Sequence, residues 1–375
     1  MLRYMTAGES HGKALIAVID GIPAGLEIDK EFIDTELSRR MTGYGRGKRM
    51  SIEKDKVDIL SGCRKGITIG SPVCLMIPNV DHKIDDLADV INPRPGHADL
   101  AGVQKYGFQD ARDVLERASA RETAARVAAG SVAKIFLKEF GIRIISHVTA
   151  IGGVTAALKK YSFDELLVMT EGSDLRCADR EAEKAMKEEI DKAAKNGDTL
   201  GGVFRVVVNG VPPGLGSHVQ WDRKLDGIIA QAVMSIQAVK AVSIGEGIEN
   251  AARSGSEVHD SIYYNNGERA YYRLTNNAGG IEGGITNGED IIVHGFMKPI
   301  ATLTSPLKSV NINTKEDAFA STERSDVTAV AACGVVAEAM LAVTIAAAFV
   351  EKFGNDSVKE IKRNFEAYIN ELKKR

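Results

Sequence analysis

Cysteine and tryptophan are scarce in this chain, with four cysteines and one tryptophan in 375 residues. Cys63, Cys74, Cys177 and Cys333 lie far apart with no C-x-x-C pair, which argues against a disulfide framework or a zinc motif. A reducing cytoplasm is the expected compartment. Aromatic residues make up 6% of the chain, too few for the stacking platforms of a single-strand nucleic-acid binder. Formal charge is −3, so no polyanion-binding surface and no nucleic-acid partner are expected. No long apolar run follows a basic region at the start, so no secretory signal is expected either. One segment, Thr328 to Val350, is apolar enough to span a bilayer, interrupted only by Glu338. Its alanine content suits a core helix packed between layers, capped by Asp326 with Arg324, and no membrane contact is expected.

Against this near-neutral background, Arg39 to Arg49 concentrates five positive charges and no acid. Glycines between the basic residues let the backbone turn tightly and expose its N–H groups, so guanidinium forks and main-chain donors can converge on phosphate or carboxylate oxygens. The segment reads as a site for a small, multiply charged anion. A solvated basic loop remains the alternative on this segment alone.

The chain echoes itself. Val18 to Leu26 reads VIDGIPAGL and Val207 to Leu215 reads VVNGVPPGL, each a strand running into a tight turn. Helical patterns follow at Lys30 to Met41 and Asp222 to Met234. Gly66-Ile67-Thr68-Ile69-Gly70 is echoed by Gly284-Ile285-Thr286-Asn287-Gly288, and the helix starting near Ser119 by one starting near Ser325. Three echoes in one order predict a duplicated strand–helix unit, about residues 7–141 and 200–352, within a single domain spanning 1–375. Lys159 to Asn196 reads as a polar helical insertion, and 356–375 as an amphipathic tail helix. The predicted class is α/β (α+β), with two alanine-rich helices buried between sheets.

Four further segments bear chemistry. Ala7 to Ala14 resembles a P-loop in composition but fails in spacing, with three residues between Gly8 and Gly12 and no hydroxyl after Lys13. It still places Ser10 and His11 at the mouth of a strand. Pro93-Arg94-Pro95-Gly96-His97 holds His97 in a stiff turn, whereas His82, His147, His218, His259 and His294 read as structural. Ser119 and Glu122 form a capping-box pattern beside Arg117 and Arg121; this is a second anion site, or else the arginines merely pair with Glu116 and Glu122. Glu323-Arg324-Ser325-Asp326 sits where the long apolar helix begins.

The strings AGESHGKAL, IDGIPAGL, RRMTGYGRGKRM, PRPGHADLAGVQKYGFQDARDVLERASARETAARVAAG, TNNAGGIEGGITNG, MKPIATL and ERSD run through the chain in order. In these motifs the sequence resembles the chorismate synthase family. The resemblance implies a β-α-β sandwich, usually assembled as a homotetramer. It also implies a lyase that eliminates phosphate from 5-enolpyruvylshikimate 3-phosphate by a 1,4-anti route with reduced FMN (FMNH2) and no net redox change. By motif position, Ser10, Arg40, Arg46, Arg49 and Arg121 would bind substrate, with Arg39 and Lys48 left as surface charge. His11 would sit by the departing phosphate, and His97 against the flavin. Asp326 would act with the flavin N5 to remove the ring proton. Flavin contacts would be Arg117, Ala118, Ser119, Gln237, Ala238, Gly283, Lys298, Pro299, Ile300, Ala301, Thr302 and Arg324. Ala118 stands where serine is frequent, Gln237 where asparagine is common, and 81–92 is shorter than in many members. No metal is implied. With no reductase domain evident, a separate NAD(P)H-dependent flavin reductase is the expected partner. A non-catalytic binder of phosphorylated molecules and a nucleotide-dependent kinase are the other classes, the latter weakened by the broken P-loop.

Overall fold

Leu15, Ala17 and Ile19 alternate along one strand and Val73, Leu75 and Ile77 along another, so each presents one face to the interior. The computed structural model, which describes residues 2–47, 54–157, 159–323 and 325–374, places these strands in a four-stranded antiparallel sheet. Its members are β1 (Arg3–Ala7), β2 (Ala14–Asp20), β3 (Asp58–Ser61) and β4 (Val73–Pro78), in the order β1-β2-β4-β3. A second antiparallel sheet holds β5 (Arg143–Ile151), β6 (Val154–Thr155), β7 (Gly202–Asn209), β8 (Val239–Ile244) and β9 (Ile291–Met297), in the order β8-β9-β7-β5-β6.

The main helices are α1 (Lys30–Met41), α2 (Asp99–Tyr106), α3 (Arg112–Ala118), α4 (Thr123–Lys138), α5 (Phe163–Glu171), α6 (Arg180–Lys195), α7 (Leu225–Met234), α8 (Val330–Phe353) and α9 (Val358–Leu372). α4 packs on β2 and β4 and α8 on β5 and β7, so the two alanine-rich helices fill the space between the sheets. This is the expected α+β sandwich. α8 is long and apolar enough to cross a membrane, yet most of that stretch is buried inside the molecule. Where α4 and α8 cross, a Cβ on Gly130 would lie 2.3 Å from the Cβ of Ala339 and 2.4 Å from its Cα. The helices therefore touch almost backbone to backbone.

Glu338, the one charge in the apolar run, is fully buried and accepts hydrogen bonds from three residues. It accepts from Arg39 Nη1 and Nη2 (2.9 and 3.0 Å), Lys134 Nζ (2.5 Å), and the Ser146 amide and hydroxyl (2.8 and 2.6 Å). Glu36 completes the cluster by accepting from Arg39 Nη1 (2.6 Å) and Lys134 Nζ (2.5 Å). Burial opposes ionisation of Glu338, but Arg39, Lys134 and Arg176 outweigh it and hold the carboxyl well below the usual range. Arg39, expected as surface charge, is thus a partly buried residue tied into the core by Glu338 and Glu36. Lys48 lies outside the described residues.

The echoed turns carry matching bonds. Thr68 Oγ1 donates to Pro23 O (2.6 Å) and accepts from Leu26 N (2.9 Å); Thr286 Oγ1 donates to Pro212 O (2.7 Å) and accepts from Leu215 N (2.8 Å). Gly25 and Gly214 occupy the same left-handed position, with φ of 89° and 96°. The segment 159–196 holds α5 and α6, and the tail forms α9.

Two predictions follow from this packing. Gly130→Ala forces α4 and α8 apart and is expected to lower unfolding free energy by about 1–3 kcal/mol, read by denaturant titration. Glu338→Gln leaves buried cations under-compensated and is expected to cost about 3–5 kcal/mol near neutral pH. Because the folded carboxyl titrates below its unfolded value, that contribution is complete above the ordinary carboxylate range and is lost as pH falls below it. Melting curves of wild type and E338Q should therefore converge in acid.

Candidate active site

The turn joining β1 to β2 delivers Ser10 and His11. It is tight enough that a Cβ on Gly8, at φ 103°, would lie 2.2 Å from Ala14 O. Ser10 N donates to Glu116 O (3.0 Å), and Ser119 Oγ lies 3.3 Å from Ser10 Oγ. The His11 amide donates to Glu116 Oε2 (2.8 Å), and its Nδ1 is 3.0 Å from both Glu116 oxygens. Its Nε2 is 4.0 Å from Asp81 Oδ2. His97 is mounted similarly, with Nδ1 2.5 Å from Asp99 Oδ1 and 3.0 Å from Arg94 Nη2. Arg94 donates to Asp99 through Nε (2.9 Å) and Nη2 (3.1 Å), and through Nη1 to Thr302 Oγ1 (2.7 Å).

Three arginines converge beside these histidines. Arg40, at the end of α1, is buried and donates to Thr123 Oγ1 (2.9 Å) and Ala120 O (3.1 Å). Asp55 Oδ2 bridges Arg40 Nη1 (3.7 Å) and Arg121 Nη1 (2.6 Å), while Arg121 Nε donates to Asn79 Oδ1 (2.9 Å). Arg46 Nη1 pairs with Asp326 Oδ2 (2.8 Å), and Gly47 N donates to Asp326 Oδ1 (2.6 Å). Burial pushes Arg40 down to about 9, with Asp55 opposing and Arg121 and Arg46 adding to the shift. It stays charged at neutral pH. The carboxylates of Asp55 and Asp326 orient these guanidinium groups, whose forked N–H donors suit an anion.

These groups open on one cavity of about 560 Å³. Ser10, His11, Arg40, Arg46, His97, Arg121 and Asp326 line it, as do Ala118, Ser119, Gln237, Ala238, Lys298, Ile300, Ala301 and Thr302. Its apolar wall comes from Ile236, Met297 and the start of α8 at Ala329, Ala332, Cys333 and Val336. Three expected contacts are not in the lining. Arg117 faces Gly8 O (2.9 Å), Thr6 O (3.1 Å) and Thr6 Oγ1 (3.0 Å), bracing the β1–β2 turn. Pro299 is absent from the wall between Lys298 and Ile300, and Gly283 lies in the short hairpin Ile281–Glu282/Ile285–Thr286 with nothing near its Cβ position. Arg49 and Arg324 lie outside the described residues.

Two local readings are corrected. Asp326 does not cap the long helix: α8 starts at Val330 after Ala329 without a side-chain cap, because Asp326 is held by Arg46 and Gly47. The Ser119–Glu122 capping box does not form. Ser119 Oγ accepts from Arg121 N (3.3 Å), whereas Glu122 turns to Thr6 Oγ1 (2.7 Å), Arg126 Nε (2.9 Å) and Gln237 Nε2 (3.2 Å). Nor do Arg117 and Arg121 pair with Glu116 and Glu122, which are engaged elsewhere. Sequence reasoning missed Asp55, Arg94, Asp99 and Glu116. Asp99 lies two residues after His97 and was the nearest signal; Asp55 has no local mark, since its partners are distant in sequence.

An α+β sandwich with an arginine-lined, histidine-bearing cavity at the heads of its buried helices has the architecture of an enzyme, with that cavity as its candidate active site. A family profile described as chorismate synthase matches residues 2–350. The chain is similar to the chorismate synthase of Geobacter metallireducens, 55% identical over 392 aligned residues with 100% of each chain covered. It is likewise 55% identical to that of Thermoanaerobacter pseudethanolicus, with 98% of each covered. A crystal structure of chorismate synthase matches with a TM-score of 0.83 at 46% identity, covering 100% of this chain and 99% of that one. The chain belongs to the chorismate synthase family of enzymes.

Inorganic phosphate is expected to raise the melting temperature, by the equivalent of about 2.7 kcal/mol at 100 times its Kd. Arg46→Ala should largely remove that response. An undiminished phosphate shift in R46A would place the anion elsewhere.

Proposed function

We propose that this enzyme is a lyase that converts 5-enolpyruvylshikimate 3-phosphate to chorismate and phosphate by 1,4-anti elimination. In this reaction the allylic C–O bond to phosphate breaks and a ring proton leaves, and the electrons of that C–H bond enter the new conjugated system. The observation that carries the proposal is the meeting of Arg40, Arg46 and Arg121 with two carboxylate-backed histidines and Asp326 in one cavity. A substrate bearing one phosphate and two carboxylates matches that charge, and fixed guanidinium groups stabilise the leaving phosphate as its charge develops.

The cavity fits reduced FMN. The apolar wall suits a planar ring, and Gln237 Oε1 is buried without a donor while Gln237 Nε2 is committed to Glu122. A ring N–H would satisfy that oxygen. Lys298 supplies a cation at the same wall. Gln237, Ala238, Ile300, Ala301 and Thr302 would hold the flavin, which supplies transient electron donation that side chains cannot. Ser10, Arg40, Arg46 and Arg121 hold the substrate, His11 gives a proton to the departing phosphate, and Asp326 takes part in removing the ring proton. His97 keeps the reduced ring in its working protonation state.

FMN reduction is assigned to a separate NAD(P)H-dependent partner. The four free thiols support a reducing cytoplasm as the compartment. Homotetramer assembly is supported by the exposed hairpin Ile262–Asn265/Ala270–Arg273, which carries Tyr263, Tyr264, Tyr271 and Tyr272 on the surface. The matched turns at Thr68 and Thr286 support one domain built from two copies of a strand–helix unit.

The test is anaerobic phosphate release with chemically reduced FMN, repeated with oxidised FMN. Release is expected only with the reduced form, and Asp326→Ala should abolish turnover while flavin binding persists. Turnover of D326A within a few-fold of wild type would end that assignment.

A further inference from the structure

His11 and His97 lie on different segments, yet each has its Nδ1 held by a buried carboxylate. At His11 the neighbours of Nδ1 are the two Glu116 oxygens, each at 3.0 Å, and both are acceptors. A lone pair on Nδ1 would face theirs, so the nitrogen must carry the hydrogen. Glu116 is fixed in turn by the His11 amide (2.8 Å) and Arg112 Nη1 (3.5 Å). Burial raises its pKa, but the His11 bonds and Arg112 outweigh that and keep it ionised.

At His97 two neighbours make opposite demands. Asp99 Oδ1, 2.5 Å away, requires a hydrogen on Nδ1, whereas Arg94 Nη2, 3.0 Å away, would require a lone pair there. Arg94 Nη2 already has an acceptor in Asp99 Oδ1 at 3.1 Å, so its demand is met. Carboxylate and bare nitrogen at 2.5 Å have no such relief. The hydrogen therefore sits on Nδ1, and Arg94 serves to lock Asp99 through Nε, Nη2 and its own backbone amide.

We propose that Asp99 and Glu116 are positioning residues that commit the Nδ1 hydrogens of His97 and His11, so that both imidazoles exchange protons only through Nε2. As to catalysis, this rests on the reading that the two histidines handle protons during the elimination. A carboxylate that fixes a tautomer contributes to turnover rather than to substrate affinity.

The test has two arms. In ligand-free wild type, ¹⁵N–¹H correlation spectra of labelled histidine are expected to show hydrogen on Nδ1 of both residues. Asp99→Asn and Glu116→Gln, close in volume to the originals, should shift those signals toward the other tautomer. In turnover, D99N and E116Q are expected to lose about 10²–10⁴-fold in kcat with KM within a few-fold. Wild-type spectra with bare Nδ1, or variants at wild-type kcat, overturn the proposal. Should either variant fail to fold, the wild-type nitrogen signals still decide it. His11→Ala and His97→Ala are run beside them; full turnover there sinks the reaction reading, while the tautomer spectra stand apart from it.

Discussion

A single ionised carboxylate, buried where three helices meet a strand of the second sheet, sets the terms for this fold. Placing Glu338 in the middle of an apolar helix is unfavourable unless cations and donors surround it, and they must come from elsewhere in the chain. Arg39 arrives from α1, Lys134 from α4, and Ser146 from β5. Hydrophobic burial alone would tolerate many offsets between these elements, since alanine surfaces are nearly featureless. The ion cluster admits one. Its members also neighbour the site in sequence: Arg40 follows Arg39, and α4 runs back from Lys134 to Thr123, which receives Arg40 Nε.

The site shows the complementary use of charge. In the core, Glu338 and Glu36 are both bonded to Arg39 and Lys134. Around the cavity Asp55 is shared between two guanidinium groups and Asp326 serves Arg46. The acids hold the arginines in place. Substrate oxygens would then meet donors already oriented, with little reorganisation required.

Local signals in the sequence carried far. The helix read over Lys30 to Met41 has those bounds, because Asp29 caps it and Thr42 leaves helical geometry. The second was read from Asp222, but α7 begins at Leu225, since Trp221–Arg223 forms a 3-10 turn first. The apolar run was legible as core from its alanines. What stayed hidden depends on contacts across hundreds of residues. Arg39 and Arg40 look alike in a basic string, and only the fold decides that one faces Glu338 and the other the cavity. Ser119 and Glu122 have capping-box spacing, yet Arg126, Thr6 and Gln237 draw Glu122 away. Asp99 and Glu116 were overlooked because a carboxylate behind a histidine leaves no mark in spacing alone.

The close approach of Gly130 to Ala339 bears on more than packing. The approach to α4 carries Arg121, and the approach to α8 carries Asp326, so these walls of the cavity are mounted on helices whose separation is fixed by bare backbone. The contact works as a gauge block. A residue with no side chain thereby holds at one spacing two helices whose approaches carry residues of the recess lining.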